Sequence, residues 1–180
     1  ADHGCIKCSG VMVKAGSNVN TPDNWGVNTP EIGEEPLISS ITVRAAYLVD
    51  SLLDNGTDLR LGEKSGDTPL HAHSYSVWIS ESSCSDRVVA ALARAGADLN
   101  VQYHRGMTPV SMAVEFNKLD IFLSRALLGA DLSCVNNLGQ TILHLAAPFG
   151  DLVFLQGIRR VKICTVDVNQ LDHFDTTAAQ

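Results

Sequence analysis

The chain has 180 residues, of which 45% are hydrophobic, and its formal net charge at pH 7 is −7. This acidic balance argues against nucleic acid as a partner, because binding to phosphates requires clustered lysine and arginine side chains. Its apolar runs are far shorter than the ~20 residues of a membrane-spanning helix, so no membrane partner is expected. The five cysteines are odd in number and irregularly spaced, which favours free thiols in a reducing, intracellular compartment.

A short signature marks the start of several predicted helices. It reads GDTPLHAH at 66–73, GMTPVSMA from Gly106, GQTILHLA from Gly139 and, in a worn form, EPLISS from Glu35. A second signature, of the type AGADLN, closes each unit. The glycines that mark the two signatures recur at the same intervals of 40, 40 and 33 residues, namely Gly26, Gly66, Gly106 and Gly139 for the first and Gly16, Gly56, Gly96 and Gly129 for the second. The shared intervals indicate repeats with a basic unit of 33 residues, two of which carry seven extra residues.

The first signature has the composition of a turn followed by a helix start. Thr68 suits an N-cap, Pro69 suits the first helical position, and Leu70 is then expected to point inward. The positions expected at equivalent inward sites are Leu37, Leu70, Val110 and Leu143.

The second signature is predicted to end a second helix. Val88, Val89, Leu92 and Ala93 form one apolar stripe at helical spacing. Gly96 is expected to end this helix in the left-handed conformation.

The period of about 33 residues and the T-P-L-H signature resemble the ankyrin repeat. The resemblance covers essentially the whole chain. It implies an all-α ankyrin-repeat solenoid of stacked helix–loop–helix units with β-hairpin-like finger loops, because no single unit can bury its apolar face alone. It also implies that His71 and His144 tie neighbouring repeats together.

The repeats divide the chain into one ankyrin-repeat domain with partial units at both ends. The expected segments are a partial repeat at 1–22, a repeat at 23–62 with an insertion near 28–34, a repeat at 63–102 with an insertion near 74–83, repeats at 103–135 and 136–171, and the start of a truncated repeat at 172–180. This division suggests a fragment of a larger protein, one that is monomeric by itself.

Several residues depart from the repeat pattern. Ser111 replaces the histidine of the signature, Ile142 replaces its proline, and Asp175 stands where glycine is expected. If Asp175 must adopt positive φ, the strain costs about 1 kcal/mol. These departures predict uneven stability along the array, with both ends weakest.

Residues that could carry chemistry are better explained as structural. His3, Cys5 and Cys8 include a C-x-x-C spacing without a second pair, so ordinary buried thiols are favoured over zinc. His71 and His73 point apart on a helix.

A catalytic site is not expected either. The sequence places five possible nucleophiles in a predicted loop, but no G-x-S-x-G elbow accompanies them. They are Ser74, Ser76, Ser82, Ser83 and Cys84. Phosphate-loop and dinucleotide-binding fingerprints are missing as well, so neither an enzyme nor a cofactor is expected.

Asn100 resembles the asparagines that an asparaginyl hydroxylase modifies in ankyrin proteins. A loop-capping role is the favoured explanation.

Ankyrin repeats recognise protein partners through finger tips and inner helices, and the resemblance carries this over position by position. Trp25 at a turn apex stands out, although the adjacent insertion could equally cover it, and Trp78 could bind a partner or anchor its own insertion. The expected partner-binding residues are Asn24, Trp25, Lys64, Ser65, Tyr103, His104, Arg105, Glu115, Asn117, Asn137, Leu138, His173 and Phe174.

The function expected is that of a non-catalytic protein–protein interaction scaffold from a larger intracellular protein, in the cytoplasm or nucleus. Two alternatives stay open: a regulatory or substrate-recruiting segment of a multidomain enzyme or NTPase, and a pathogen effector that binds a host protein.

Overall fold

The computed structural model describes residues 18, 36–42, 46–60, 67–75, 82–102, 105–149, 152–161 and 166–179. Within these ranges the regular structure is helical. The chain divides into two compact units, Ala1–Ala97 and Asp98–Gln180.

Unit 1 is built from two helix pairs. Its helices are α1 (Pro36–Thr42), α2 (Ala46–Asp54), α3 (Pro69–Tyr75) and α4 (Ser82–Arg94). The inner helices α1 and α3 pack together, as do the outer helices α2 and α4. These helices bury apolar side chains, among them Leu37 on α1, Leu70 on α3, and Val89 and Leu92 on α4. Of the predicted stripe on α4, Ala93 is only half-buried, and the neighbouring Ala91 is buried instead.

Unit 2 repeats this arrangement. Its helices are α5 (Pro109–Glu115), α6 (Leu119–Leu127), α7 (Ile142–Ala146) and α8 (Leu152–Arg160), with a 3₁₀ turn at Ala147–Phe149. The inner helices α5 and α7 pack together, and the outer helices α6 and α8 pack through the rings of Phe122 and Phe154, whose centroids are 5.5 Å apart.

Three of the four predicted inward sites are confirmed. Leu37, Leu70 and Val110 are almost completely buried, whereas Leu143 is half-buried and its neighbour Ile142 is buried. The difference has a packing reason: α7 has α5 on one side, and among the described residues no further inner helix covers its other side.

The outer helices end as the repeated glycines predict. Gly56, Gly96 and Gly129 have φ of 78°, 88° and 90°. At each one the next amide donates to the carbonyl five residues back, as in Ala97 N to Leu92 O at 3.0 Å, which satisfies carbonyls that the helix end would leave unpaired.

A turn of constant design follows each outer helix. An aspartate carboxylate accepts the amide of the second residue after it, at 2.8–3.0 Å. Each such bond closes the chain locally before it enters a finger. The four aspartates are Asp58, Asp98, Asp131 and Asp167.

Candidate functional site

The signature histidines are structural. His71 is fully buried, and its Nδ1 lies 3.3 Å from the Thr68 amide and 2.9 Å from the Thr68 hydroxyl. His144 repeats this contact with Thr141, and its Nε2 lies 3.1 Å from the carbonyl oxygen of Thr176 in the following finger. Because Nδ1 accepts the amide proton, Nε2 carries the ring proton and donates it. The bridge between repeats is therefore confirmed at His144.

Ser111 performs half of the histidine's task. Its hydroxyl accepts the Thr108 amide at 2.8 Å, and its own amide donates to the Thr108 hydroxyl at 3.2 Å. These two bonds cap α5. The shorter side chain keeps the cap and gives up the reach that His144 has.

The fingers of unit 2 are narrow loops whose two limbs are hydrogen-bonded. Asn136 N donates to Gln140 O at 3.1 Å in one finger, and Asp172 N donates to Thr176 O at 3.0 Å in the next. The side chains of Asn136 and Asp172 each accept two more backbone amides inside the turn, at 2.8–3.0 Å. Internal bonding of this kind holds the apex of each finger in one conformation.

The turn around Asp172 stabilises the ionised form of its carboxyl group. Desolvation opposes the charged form, but the amides of Thr176 and Phe174 and the Thr176 hydroxyl donate to the carboxylate and hold the pKa of Asp172 below its ordinary value.

Consecutive fingers are also bonded to each other. Asn137 N donates to Arg105 O at 3.0 Å, and His173 N donates to Leu138 O at 2.9 Å. The residue after each apex has positive φ: 71° at Gly106, 74° at Gly139 and 57° at Asp175. The expected left-handed conformation of Asp175 is thus confirmed.

This register brings three of the predicted residues to equivalent positions on consecutive finger apices. Arg105, Leu138 and Phe174 each directly precede the positive-φ residue, and we call these three residues the tip row. All three are exposed, Leu138 to 39% and Phe174 to 66%. The tip row therefore offers one cationic, one aliphatic and one aromatic side chain in line.

Glu115 lies beside one end of the tip row. Arg105 Nη1 is 3.4 Å from Glu115 Oε1, and both side chains are partly exposed. An exposed ion pair of this length contributes at most about 1 kcal/mol, so Arg105 can exchange Glu115 for another carboxylate at little cost.

Asn137 and His173 are exposed, and each also lies against the glycine of the preceding finger. A Cβ on Gly139 would lie 2.7 Å from His173 Cδ2, and one on Gly106 would lie 2.6 Å from the Asn137 backbone nitrogen. Only glycine leaves room for such close approach. The conformation of each finger thus depends on the residue that the following finger places against it.

The interpretation of Asn117 as an inner-helix residue is wrong. α5 ends at Glu115, and Asn117 has φ of 53° in the turn behind it. The next amide, Lys118 N, donates to Ala113 O at 2.8 Å, so Asn117 closes the helix as the outer-helix glycines do.

The prediction that the candidate nucleophiles lie in a loop is also wrong. Ser74 belongs to α3 and donates from its buried hydroxyl to Leu70 O at 2.9 Å, while Ser82, Ser83 and Cys84 form the first turn of α4. Ser76 lies outside the described residues, as do His3, Cys5 and Cys8 and the tip candidates Asn24, Trp25, Lys64, Ser65, Tyr103 and His104. Trp78 is likewise outside them.

Two polar residues with possible chemistry, Cys134 and Asn100, lie outside the tip row. Burial, followed by the nearby charge of Asp131, raises the pKa of the Cys134 thiol, which lowers its thiolate fraction. Asn100 accepts the Asp131 amide on its Oδ1 at 2.8 Å, which supports the loop-capping role. In the described part of the chain, no group of three or more histidine, cysteine or acidic side chains could hold a metal ion.

Sequence analysis missed a buried arginine on α6. Arg125 is 0% exposed, and its Nη1 donates to Pro109 O at 3.2 Å. Desolvation lowers the pKa of Arg125 to about 9. The signal was available, because Arg125 stands four residues before Gly129, where Leu52 and Leu92 stand before their own glycines.

Comparison with known families agrees with this geometry. A family model described as ankyrin repeats in three copies matches residues 77–172, which is more than half of the chain. A search of curated proteins gave no match. No helix in the described ranges is both long and apolar enough to cross a bilayer. With a matching family model, all-α helix pairs and finger loops in register, the chain belongs to the ankyrin-repeat family.

Proposed function

We propose that this chain is a non-catalytic scaffold that holds a protein partner on the tip row, with the inner-helix residue Glu115 beside Arg105 at its edge. Ankyrin repeats generally mediate protein–protein interaction, and domains built from them are typically non-catalytic. The observation that carries the proposal is the exposure of Leu138 and Phe174 on fingers whose backbones are bonded to each other. Large apolar side chains at a turn apex add little to the folded core and are typical of binding surfaces.

Rigidity of the fingers supports the same proposal. Bonds to Asn136 and Asp172 fix the apices at Leu138 and Phe174, the Asn137 amide is bonded to Arg105 O, and Asn137 and His173 fill the space between fingers. A surface that is already ordered loses little conformational freedom on binding. One copy of the chain supplies the whole tip row, so the partner is proposed to bind a single copy.

The setting of this scaffold is proposed to be a larger intracellular protein, in the cytoplasm or nucleus. The odd, irregular set of five cysteines supports a reducing compartment.

The experiment is an affinity capture from cell lysate with the full chain, followed by identification and direct titration of the captured protein. Phe174→Ala and Arg105→Glu are expected to weaken its binding at least tenfold. The control is Leu127→Ala, which removes an apolar side chain that is 81% exposed at the end of α6, away from the tip row. Binding that Leu127→Ala weakens and Phe174→Ala leaves intact would contradict the proposal.

A further inference from the structure

The spacing of the tip row restricts the kind of partner that fits it. The fingers that carry Leu138 and Phe174 each have two hydrogen-bonded limbs, and backbone bonds at the apices join all three consecutive fingers. Backbones paired in this way lie about 4.8 Å apart, so equivalent positions on consecutive fingers are separated by about 9.5 Å. From Arg105 to Phe174 the row spans two such steps, about 19 Å.

Three regular peptide conformations can be compared with this spacing. A β-strand places side chains on one face every ~6.7 Å, so its third repeat, at about 20 Å, comes near the end of the row, but no side chain falls within about 2.5 Å of the middle position. An α-helix repeats a face about every two turns, or 10.5 Å, so two of its repeats are longer than the full row by about 2 Å. A polyproline II helix repeats its face every three residues, about 9.3 Å, and stays in step across all three positions.

Charge sets the order of side chains along such a peptide. The positively charged Arg105 stands at one end of the row, held by a 3.4 Å contact with Glu115 that a second carboxylate can replace. At the other end the exposed carboxylate of Asp175 follows Phe174 and repels a second acidic residue there. Leu138 and Phe174 take apolar partners.

We propose that the tip row binds an extended, polyproline II-type segment of a protein partner, with an acidic residue opposite Arg105 and apolar residues at the third and sixth positions from it, opposite Leu138 and Phe174. This inference rests on the proposed function and specifies its partner. The motif fits the tip row with its acidic residue at either the amino or the carboxyl end, because a polyproline II segment presents the same spacing in both directions.

The test is selection of binders from a random dodecapeptide library displayed on phage, with the full chain as bait. Sequences enriched on the wild-type chain are expected to share one acidic and two apolar residues at three-residue spacing. Synthetic peptides made from them should lose at least tenfold in affinity for Phe174→Ala and keep it for Leu127→Ala. A parallel selection on Arg105→Glu is expected to enrich lysine or arginine at the acidic position.

Glu115→Gln supplies an independent readout. Removing the competing carboxylate should strengthen binding of the acidic peptides severalfold, whereas a glutamate that merely shapes the surface would leave the affinity unchanged or weaker.

Several outcomes would overturn the inference: peptides with a seven-residue spacing, peptides whose affinity is insensitive to Arg105→Glu, or no enrichment. If the chain still captures a protein through Arg105 and Phe174 while no such motif emerges, the proposed function stands and the polyproline II partner is wrong. If neither the peptides nor the captured proteins depend on Arg105 and Phe174 for binding, the proposed function and the polyproline II partner are both wrong.

Discussion

At the scale of single residues, His144 and Ser111 occupy the same position of the repeat but differ in the hydrogen bonds they make. Both receive the amide of the threonine that starts the inner helix, at 3.2 and 2.8 Å. The Ser111 hydroxyl donates within its own cap, whereas the imidazole Nε2–H of His144 extends beyond the cap and reaches Thr176 O at 3.1 Å. Capping and bridging are therefore separable functions of this position.

His144→Ser is expected to keep the cap and lose the bridge, which lowers the free energy of unfolding by about 1 kcal/mol, the net worth of one hydrogen bond. The measurement is urea denaturation. Its companion is Ser111→Ala, which removes a cap where no such bridge exists. An unchanged midpoint for His144→Ser would show that the contact with Thr176 adds nothing to stability.

Gly139 and Gly129 both have positive φ, but they differ in surroundings. A Cβ at Gly129 meets nothing within 4 Å, whereas at Gly139 it meets the His173 ring. Gly129→Ala should therefore cost about 1–2 kcal/mol for strain alone, and Gly139→Ala should cost more. Thermal unfolding of the two variants checks the order, and equal losses would contradict close finger-to-finger packing.

Asp172 makes finger stability depend on pH. Its pKa is lowered in the folded chain, so its contribution is complete above the ordinary value of 3.8 and is lost as the pH falls through the lower folded value. Asp172→Asn should weaken this acid dependence while keeping the turn, because Asn136 already holds the equivalent turn with an amide. Denaturation curves between pH 3 and 6 measure the slope, and an identical slope in both proteins would contradict the assignment.

At the scale of elements, α6 buries a charge at the position where α2 buries Leu52 and α4 buries Leu92. Arg125 is fully enclosed, and its Nη1 donates to the Pro109 carbonyl at 3.2 Å. Enclosing a guanidinium costs desolvation energy, which a leucine would not.

Arg125→Leu is expected to raise the free energy of unfolding near neutral pH by about 1–3 kcal/mol. The folded pKa of Arg125, about 9, lies well below the ordinary pKa of a guanidinium, so the unfolded chain holds the proton more firmly, and wild-type stability should rise as pH increases above 9. The gap between variant and wild type should narrow from pH 8 to 10.5 in chemical denaturation. A destabilised variant would show that Arg125 makes contacts that leucine cannot replace.

At the scale of the whole molecule, each compact unit is stabilised by contacts between its own two helix pairs. In arrays of this kind a defect acts most strongly on its own repeat and the adjacent ones. Leu70 is buried between α1 and α3, whereas the equivalent Leu143 is half-buried. The same substitution should therefore have unequal effects at the two positions.

Leu70→Ala is expected to lower the free energy of unfolding by about 2–5 kcal/mol through a cavity, and Leu143→Ala by less. Hydrogen exchange should show the loss of protection caused by Leu70→Ala first in α1 and α3, before α7. An unchanged melting temperature for Leu70→Ala would contradict the repeat register on which the fold assignment depends.

Prediction from sequence succeeded where a local rule decides the structure. The positive φ of Gly96 and Asp175 and the inward position of Leu70 follow from repeat spacing and residue type alone. Prediction from sequence failed for Asn117 and for Ser82. The residue at which a helix starts or ends can shift by one turn with its tertiary neighbours, and a sequence pattern does not contain them.

The sequence by itself determined that the chain is a row of helix pairs, because two signatures at common intervals leave only one arrangement that buries every apolar stripe. Only the tertiary structure decided which residues are available to a partner. Exposure depends on what the next finger or helix places alongside, so Asn137 and His173 lie against their neighbours while Leu138 and Phe174 face solvent. For the same reason Arg125 is enclosed: the burial comes from the helices around α6, not from the arginine's own chemistry.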